Sequence, residues 1–308
     1  MVAFISKSQS FWRKLSEYSQ KNFNCLKRDP RLFLMRKMAR IEVVRNLMVN
    51  LTKPPSQSYA VSLDNPSIFK DINVDKAVSA LKNDGCYLGL NLPQDIIQEF
   101  RQFYQSRDWH VNQDKNLVFS YSDLEKISDK NAKKFRFANP YHPGICPPLE
   151  KLKTDPVLLA IAAKYLGTTP KCVGSSLRWS FPVSATLFEQ LKSAQVFHCD
   201  LDDYRAIKFF FYLTDVDLSS GPHACIRGTH KNKKLLHQFL GERCASIEDQ
   251  KLIDDYGMHN VMSICGAEGF GFVEDVLCFH KGTLPTAKER WFLQIEFAIN
   301  EYRGLRNC

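Results

Sequence analysis

Four residues of the chain have types and spacing that suit metal chemistry: His198, Asp200, His280 and Arg290. His198-Cys199-Asp200 sits in a segment, 195–200, that reads as a strand. Side chains alternate along a strand, so residues 198 and 200 share one face and Cys199 takes the other. An imidazole nitrogen and a carboxylate oxygen can then reach one ion. His280 follows the apolar run 270–279 and precedes Lys281-Gly282, which reads as a turn. Two histidines and one carboxylate fill three positions on one face of an ion and leave the others open to small molecules. Arg290 opens the last apolar segment, Arg290-Trp-Phe-Leu-Gln-Ile-Glu-Phe. Its planar fork is always charged and suits a carboxylate, which it can hold through two parallel hydrogen bonds.

The elements that must position these residues are short strands. Segments 175–181, 195–200, 206–214, 224–228, 261–265, 271–279 and 290–299 are apolar and bounded by turn residues. Many short strands at regular spacing predict a sandwich or jelly-roll rather than a parallel sheet. One helical insertion, about 231–257, interrupts them. Upstream, 75–82 and 94–105 read as helices around a short strand at 86–90, with a turn at Asp84-Gly85. Residues 154–167 form a well-marked helix: Asp155 suits the cap, Pro156 the first turn and Gly167 the left-handed end. Residues 106–150 have weak periodicity and read as a long loop or lid.

Charge is confined to one end. The chain has 308 residues and a formal net charge of +9, and residues 1–55 hold 12 basic and 3 acidic residues. That segment carries the whole excess, and the body is neutral. A basic groove along the fold is excluded, and with it a nucleic-acid partner. Residues 31–50 read as one helix with basic residues between apolar ones, ended by Pro54-Pro55. Three readings stand for 1–55: a helix packed on the body with a solvated basic face, a contact with a membrane surface or acidic partner, or a targeting segment. The 10 cysteines show no C-x-x-C pair, which argues against structural zinc and for reduced thiols in a cytoplasmic setting. The division expected is a basic helical segment 1–55 and a catalytic domain 56–308. Within the latter, 56–150 is support and lid, and 151–308 is the strand-rich core.

The order H-x-D, about 80 residues, His, then ten residues to Arg resembles the 2-oxoglutarate-dependent oxygenases, and within them the phytanoyl-CoA dioxygenase superfamily. Phe197-His-Cys-Asp-Leu-Asp-Asp203, Lys208-Phe-Phe-Phe-Tyr-Leu-Thr-Asp-Val216, Ser220-Gly-Pro-His223 and Gly228-Thr-His-Lys231 carry the likeness. It covers about 150–300 well and 70–110 more loosely. The resemblance implies a mainly β fold with flanking helices, its core a double-stranded β-helix of the jelly-roll, cupin-like kind. Fe(II) would be held by His198, Asp200 and His280, and the distal carboxylate of 2-oxoglutarate by Arg290. With O2, a small-molecule substrate would be hydroxylated as succinate and CO2 are released. Asp200, being intact, favours hydroxylation over halogenation. Lys208 and Thr283 are further candidates for the cosubstrate. His223 and His230 read as turn-stabilising or as supports behind the metal ligands, Arg178 and Trp179 as pocket mouth or barrel wall, and the run 209–211 as core. The competing reading is a jelly-roll binding protein without the chemistry. A zinc hydrolase with the same triad would leave Arg290 without a task.

Overall fold

The structure is a computed structural model, and it describes residues 20, 22–52, 66–112, 114–120, 136–140 and 145–302. The chain from Val74 onward begins with helix α3 (Val74–Asp84), preceded by α1 (Pro30–Met38) and α2 (Glu42–Leu51). After α3 come β1 (Cys86–Leu88), α4 (Gln94–Gln105), β2 (Asp108–Val111), β3 (Asp114–Ser120), β4 (Phe137–Pro140), α5 (Pro147–Lys153) and α6 (Pro156–Leu166). The second half holds β5 (Lys171–Ser180), α7 (Leu187–Lys192), β6 (Ala206–Tyr212), β7 (His223–Ile226), α8 (Leu235–Leu240), α9 (Asp249–Tyr256), β8 (Val261–Ile264), β9 (Gly271–Asp275), β10 (Phe279–Gly282) and β11 (Arg290–Ala298).

Two antiparallel sheets face each other. The larger has the order β1-β9-β6-β11-β5-β4-β2-β3, and the smaller has β10-β7-β8. A bridge between His198 and His280 adds the H-x-D segment to the small sheet's edge. Its amide ladder is short: His198 N–H donates to His280 O at 3.0 Å, His280 N–H to His198 O at 2.8 Å, and Asp200 N–H to Val276 O at 2.9 Å. The segment is therefore extended but is not the full strand expected for 195–200. The alternation that matters survives, because Phe197 and Cys199 are buried on the face opposite His198.

The central strands of the larger sheet are covered on both faces, which is why they read as nearly continuous apolar runs. On β11, Trp291, Leu293, Ile295 and Phe297 enter the main core, which also takes Leu32, Leu81, Phe100, Leu158 and Ile161 from the helices. Trp179 stacks on Trp291 with centroids 5.1 Å apart, and Trp109 meets Trp291 edge-on at 6.1 Å. The opposite faces of β5, β6 and β11 turn toward the small sheet and carry the polar residues taken up below.

Several expectations are corrected. More residues are helical than extended, so "mainly β" describes the core and not the chain. The expected loop 106–150 contains β2, β3, β4 and the start of α5, and β2 to β4 extend the larger sheet. Its signal was the short alternation Asp108-Trp-His-Val, which buries Trp109 and Val111. Residues 121–135 and 141–144 of that region lie outside the described residues. The expected strand 271–279 breaks at Val276–Cys278. This break moves the chain from one sheet to the other, so Lys281 and Gly282 are strand residues of β10 and not a turn.

The expected helix 31–50 is two helices. Asp29 caps α1, accepting from Leu32 N–H at 3.0 Å, with Pro30 in the first turn. Ile41 is extended and separates α1 from α2. Buried Arg45 donates to Ala39 O at 3.1 Å and to His230 O at 2.8 Å, so the carbonyl freed by the break is satisfied. Leu32, Met35, Ala39 and Val49 lie in the main core. Residues 1–19 and the Pro54-Pro55 stop lie outside the described residues. No described helix is long and apolar enough to cross a membrane. The cysteines from Cys25 to Cys278 are free thiols.

Gly85 closes α3 at φ +83°, and a Cβ there would lie 2.2 Å from Cys278 Sγ and 2.7 Å from His230 Nδ1. Left-handed strain and overlap with a packed core act together at this position. Gly85→Ala should lower unfolding free energy by about 2 kcal/mol or more in urea titration. Adding Cys278→Ala should return part of that loss; no recovery would place the cost in the backbone alone.

Candidate metal centre and cosubstrate cavity

His198, Asp200 and His280 offer ligand atoms that all lie within 4.8 Å of one another. His198 Nε2 is 3.7 Å from Asp200 Oδ1, and His280 Nε2 is 3.6 Å from Asp200 Oδ2. Both rings are oriented by the backbone. His198 Nδ1 donates to Val196 O at 2.8 Å, and His280 Nδ1 to Cys278 O at 3.0 Å. A carbonyl only accepts, so each Nδ1 carries a hydrogen and each Nε2 is the nitrogen turned toward Asp200. That is the tautomer a metal ligand needs.

The electrostatics agree for His198 and Asp200. Burial, helped by the neighbouring His280, pushes His198 down to about 4 and keeps it neutral. Burial opposes the Asp200 charge, but Lys208 and His280 outweigh it and hold the carboxyl well below its usual range. Burial likewise opposes the His280 cation, and Glu274 with Asp200 outweighs it. The result is an ionised carboxylate between a neutral His198 and a His280 held toward its cation, and a divalent ion with three positions filled on one side would take the place of the His280 Nε2 proton.

Lys208, on β6, reaches Asp200 itself. Its Nζ lies 2.5 Å from Asp200 Oδ2, 3.3 Å from Asp202 and 3.6 Å from Glu296. Asp202 is also within 4.0 Å of Arg36 on α1. The basic N-terminal segment therefore touches the rim of the site through Arg36.

A cavity of about 190 Å³ opens on the triad. Its walls are the inner faces of β5 (Ser176, Arg178, Ser180), β6 (Lys208, Phe210) and β11 (Arg290, Phe292, Gln294). Arg290 is buried, donates through Nη1 to Gly221 O, and lies 5.0 Å from the Phe292 ring centre. Its Nε has no partner. A Cβ on Gly282 would stand 3.1 Å from Arg290 Nη2, so glycine there leaves room for the guanidinium. Arg290 has no acidic partner among the described residues.

The other candidates separate cleanly. Thr283 donates its hydroxyl to Pro222 O at 2.7 Å and is not part of the cavity wall. Arg178 lines the cavity, whereas Trp179 points into the core. Phe210 lines the cavity while Phe209 and Phe211 are core. His230 lies away from the cavity, its Nε2 3.3 Å from Lys82 O. His223 does more than stabilise a turn: it lines the cavity, stacks on His280 at 5.5 Å, and sets Nε2 2.5 Å from Glu274 Oε2. Sequence reasoning missed Glu274, which burial pushes up to about 8. The available signal was a carboxyl pair, Glu274-Asp275, inside an apolar strand.

No protein-family model matches the chain, and no curated protein sequence matches it. Solved structures do. The non-heme alpha ketoglutarate dependent carbocyclase SnoK from nogalamycin biosynthesis matches with TM-score 0.50 and 13% identity over 76% of this chain and 86% of that one. EctD from S. alaskensis, in its apoform, matches with TM-score 0.49 and 14% identity over 80% and 86%. HygX from Streptomyces hygroscopicus, with nickel, 2-oxoglutarate and hygromycin B bound, matches with TM-score 0.49 and 14% identity over 72% and 86%. The SnoK likeness places the two facing sheets in the jelly-roll fold.

Proposed function

We propose that this chain is an Fe(II)- and 2-oxoglutarate-dependent oxygenase of a small-molecule substrate, most simply a hydroxylase. The observation that carries this reading is the convergence of His198, Asp200 and His280 on one point beside a buried arginine that has no acidic partner among the described residues. Bound Fe(II) with 2-oxoglutarate and O2 supplies the oxidising chemistry, and the cosubstrate leaves as succinate and CO2. The chain's own residues do the rest. Val196 and Cys278 carbonyls fix the imidazoles. Lys208 steers Asp200. Arg290 takes the distal carboxylate of 2-oxoglutarate. Phe210 and Phe292 make that wall apolar, which keeps water out and strengthens the ion pair. Affinity with the phytanoyl-CoA dioxygenase superfamily is part of this proposal and rests on the sequence motifs.

A binding protein that kept only the barrel would have no need for convergent ligand atoms with matched tautomers. A zinc hydrolase would leave Arg290 a buried charge with no use. Purified protein should release succinate from 2-oxoglutarate only with Fe(II) present. Chelation should stop release, and added Fe(II) should restore it. Equal release in excess chelator would refute the reading.

A further inference from the structure

Arg178 is a second arginine in the cavity that the reaction above does not use. It projects from β5 on the same face as Ser176 and Ser180. In the β5–β11 register Arg178 faces Phe292 and Ser180 faces Arg290, so the two arginines are diagonal neighbours on one wall. The Arg178 guanidinium lies 4.8 Å from the Phe137 ring centre, and its Nε is buried without a hydrogen-bond partner. Arg290 is laid against Phe292 and Gly221 instead.

Charge accounting makes Arg178 informative. Among the described residues Asp200 is the one acidic side chain in the cavity wall, and Lys208 already pairs with it. Lys208 is further matched by Asp202 and Glu296. Under the oxygenase reading, Arg290 is matched by the distal carboxylate of 2-oxoglutarate. Arg178, half-buried, then has no counter-ion among the described residues, which favours a ligand that supplies one. Two more polar atoms in the same cavity lack partners, Ser193 Oγ and Gln195 Oε1.

We propose that Arg178 is the anchor for the organic substrate, which is therefore a small molecule bearing an acidic oxyanion group such as a carboxylate. This rests on the oxygenase reading and narrows it to a substrate class. Burial, then the charge of Arg290, lowers the Arg178 guanidinium only to about 10, so it remains a cation at neutral pH. Its fork would hold the oxyanion while Ser193 and Gln195 complete the polar contact.

The test uses the full chain loaded with Mn(II) and 2-oxoglutarate, titrated calorimetrically with 3-phenylpropionate and with 3-phenylpropionamide. Wild type should bind the acid and discriminate against the amide. Arg178→Gln should lose the acid by about thirtyfold or more, as when one member of a buried charge pair is removed, with 2-oxoglutarate affinity held within about threefold. Arg178→Lys should recover part of the loss and guards against a folding artefact. Acid and amide binding equally in wild type would overturn the proposal. So would an Arg178→Gln loss of 2-oxoglutarate binding equal to that of Arg290→Gln, which would put both arginines on the cosubstrate. If wild type took up neither Mn(II) nor 2-oxoglutarate, the oxygenase reading would fail. An Arg178-dependent preference for the acid in unloaded protein would then still support the anion site.

Discussion

Asp200→Ala should abolish metal retention while leaving the fold intact. Asp200 is the one carboxylate among the three converging ligands, and it is held ionised by Lys208 and His280. Its removal leaves two neutral donors and the Lys208 cation facing the ion. Loss of partners that merely orient a ligand typically costs ten- to a hundredfold in affinity, so losing the charged ligand itself should cost at least about a hundredfold. Lys208 keeps Asp202 and Glu296 as partners, so no unpaired buried charge is created. The measurement is a thermal melt with and without Mn(II). At a hundredfold excess over the dissociation constant, wild type should gain about 2.7 kcal/mol. Asp200→Ala should gain almost nothing, and its succinate release should fall to background. A variant that melts with the same Mn(II) dependence as wild type would take Asp200 out of the metal site.

How much of this site was legible in the sequence depends on what each residue's position rests on. The triad was legible because its pattern is local: i and i+2 on an extended chain share a face whatever the tertiary fold does. Arg290 was legible as the polar start of an apolar strand. The alternation Arg290, Phe292, Gln294, Glu296 against Trp291, Leu293, Ile295, Phe297 also marks which face looks into the cavity. Thr283 misled because proximity in sequence to His280 says nothing of direction. The chain leaves β10 there, and the Thr283 hydroxyl turns back to Pro222.

What sequence could not give were relations across the fold. Lys208 meets Asp200 because β6 passes beside the H-x-D segment, and Glu296 joins them through the β6–β11 register, in which Glu296 faces Lys208. The charge at Arg178 acquires meaning only once every acidic side chain in the cavity is assigned to another partner. Strands β2 to β4 were read as loop because β2 and β4 are only four residues long and β3 is an edge strand. Four residues with two inward side chains give too short an alternation to stand out. The switch between sheets at Val276–Cys278 was hidden for a related reason. Both sides of the break are buried, so the apolar run continues through it.

Arg290→Gln should separate the cosubstrate from the metal. The guanidinium is buried and, among the described residues, lacks an acidic partner and has an Nε with no acceptor. Burial lowers its pKa, which means the folded protein bears a cost for the charge that a bound carboxylate would relieve. Truncating one partner of a buried, hydrogen-bonded charge pair costs about 2–5 kcal/mol, so the dissociation constant for 2-oxoglutarate should rise by roughly thirtyfold to several thousandfold. Mn(II) affinity without cosubstrate should change by less than about threefold, because Arg290 is not a ligand. Arg290→Lys should recover only part of the binding, since a point charge on a flexible stem cannot reproduce the fork. Stability provides the control. If Arg290 were chiefly structural, the glutamine variant would unfold earlier than wild type. If it is a binding residue carrying an unmatched charge, the unliganded variant should be at least as stable, with only the lost Gly221 contact against it. Unfolding both proteins in urea with and without 2-oxoglutarate reads the two quantities together. Wild type should gain stability from the cosubstrate and the variant should not. Equal gains in both would remove Arg290 from the cosubstrate site.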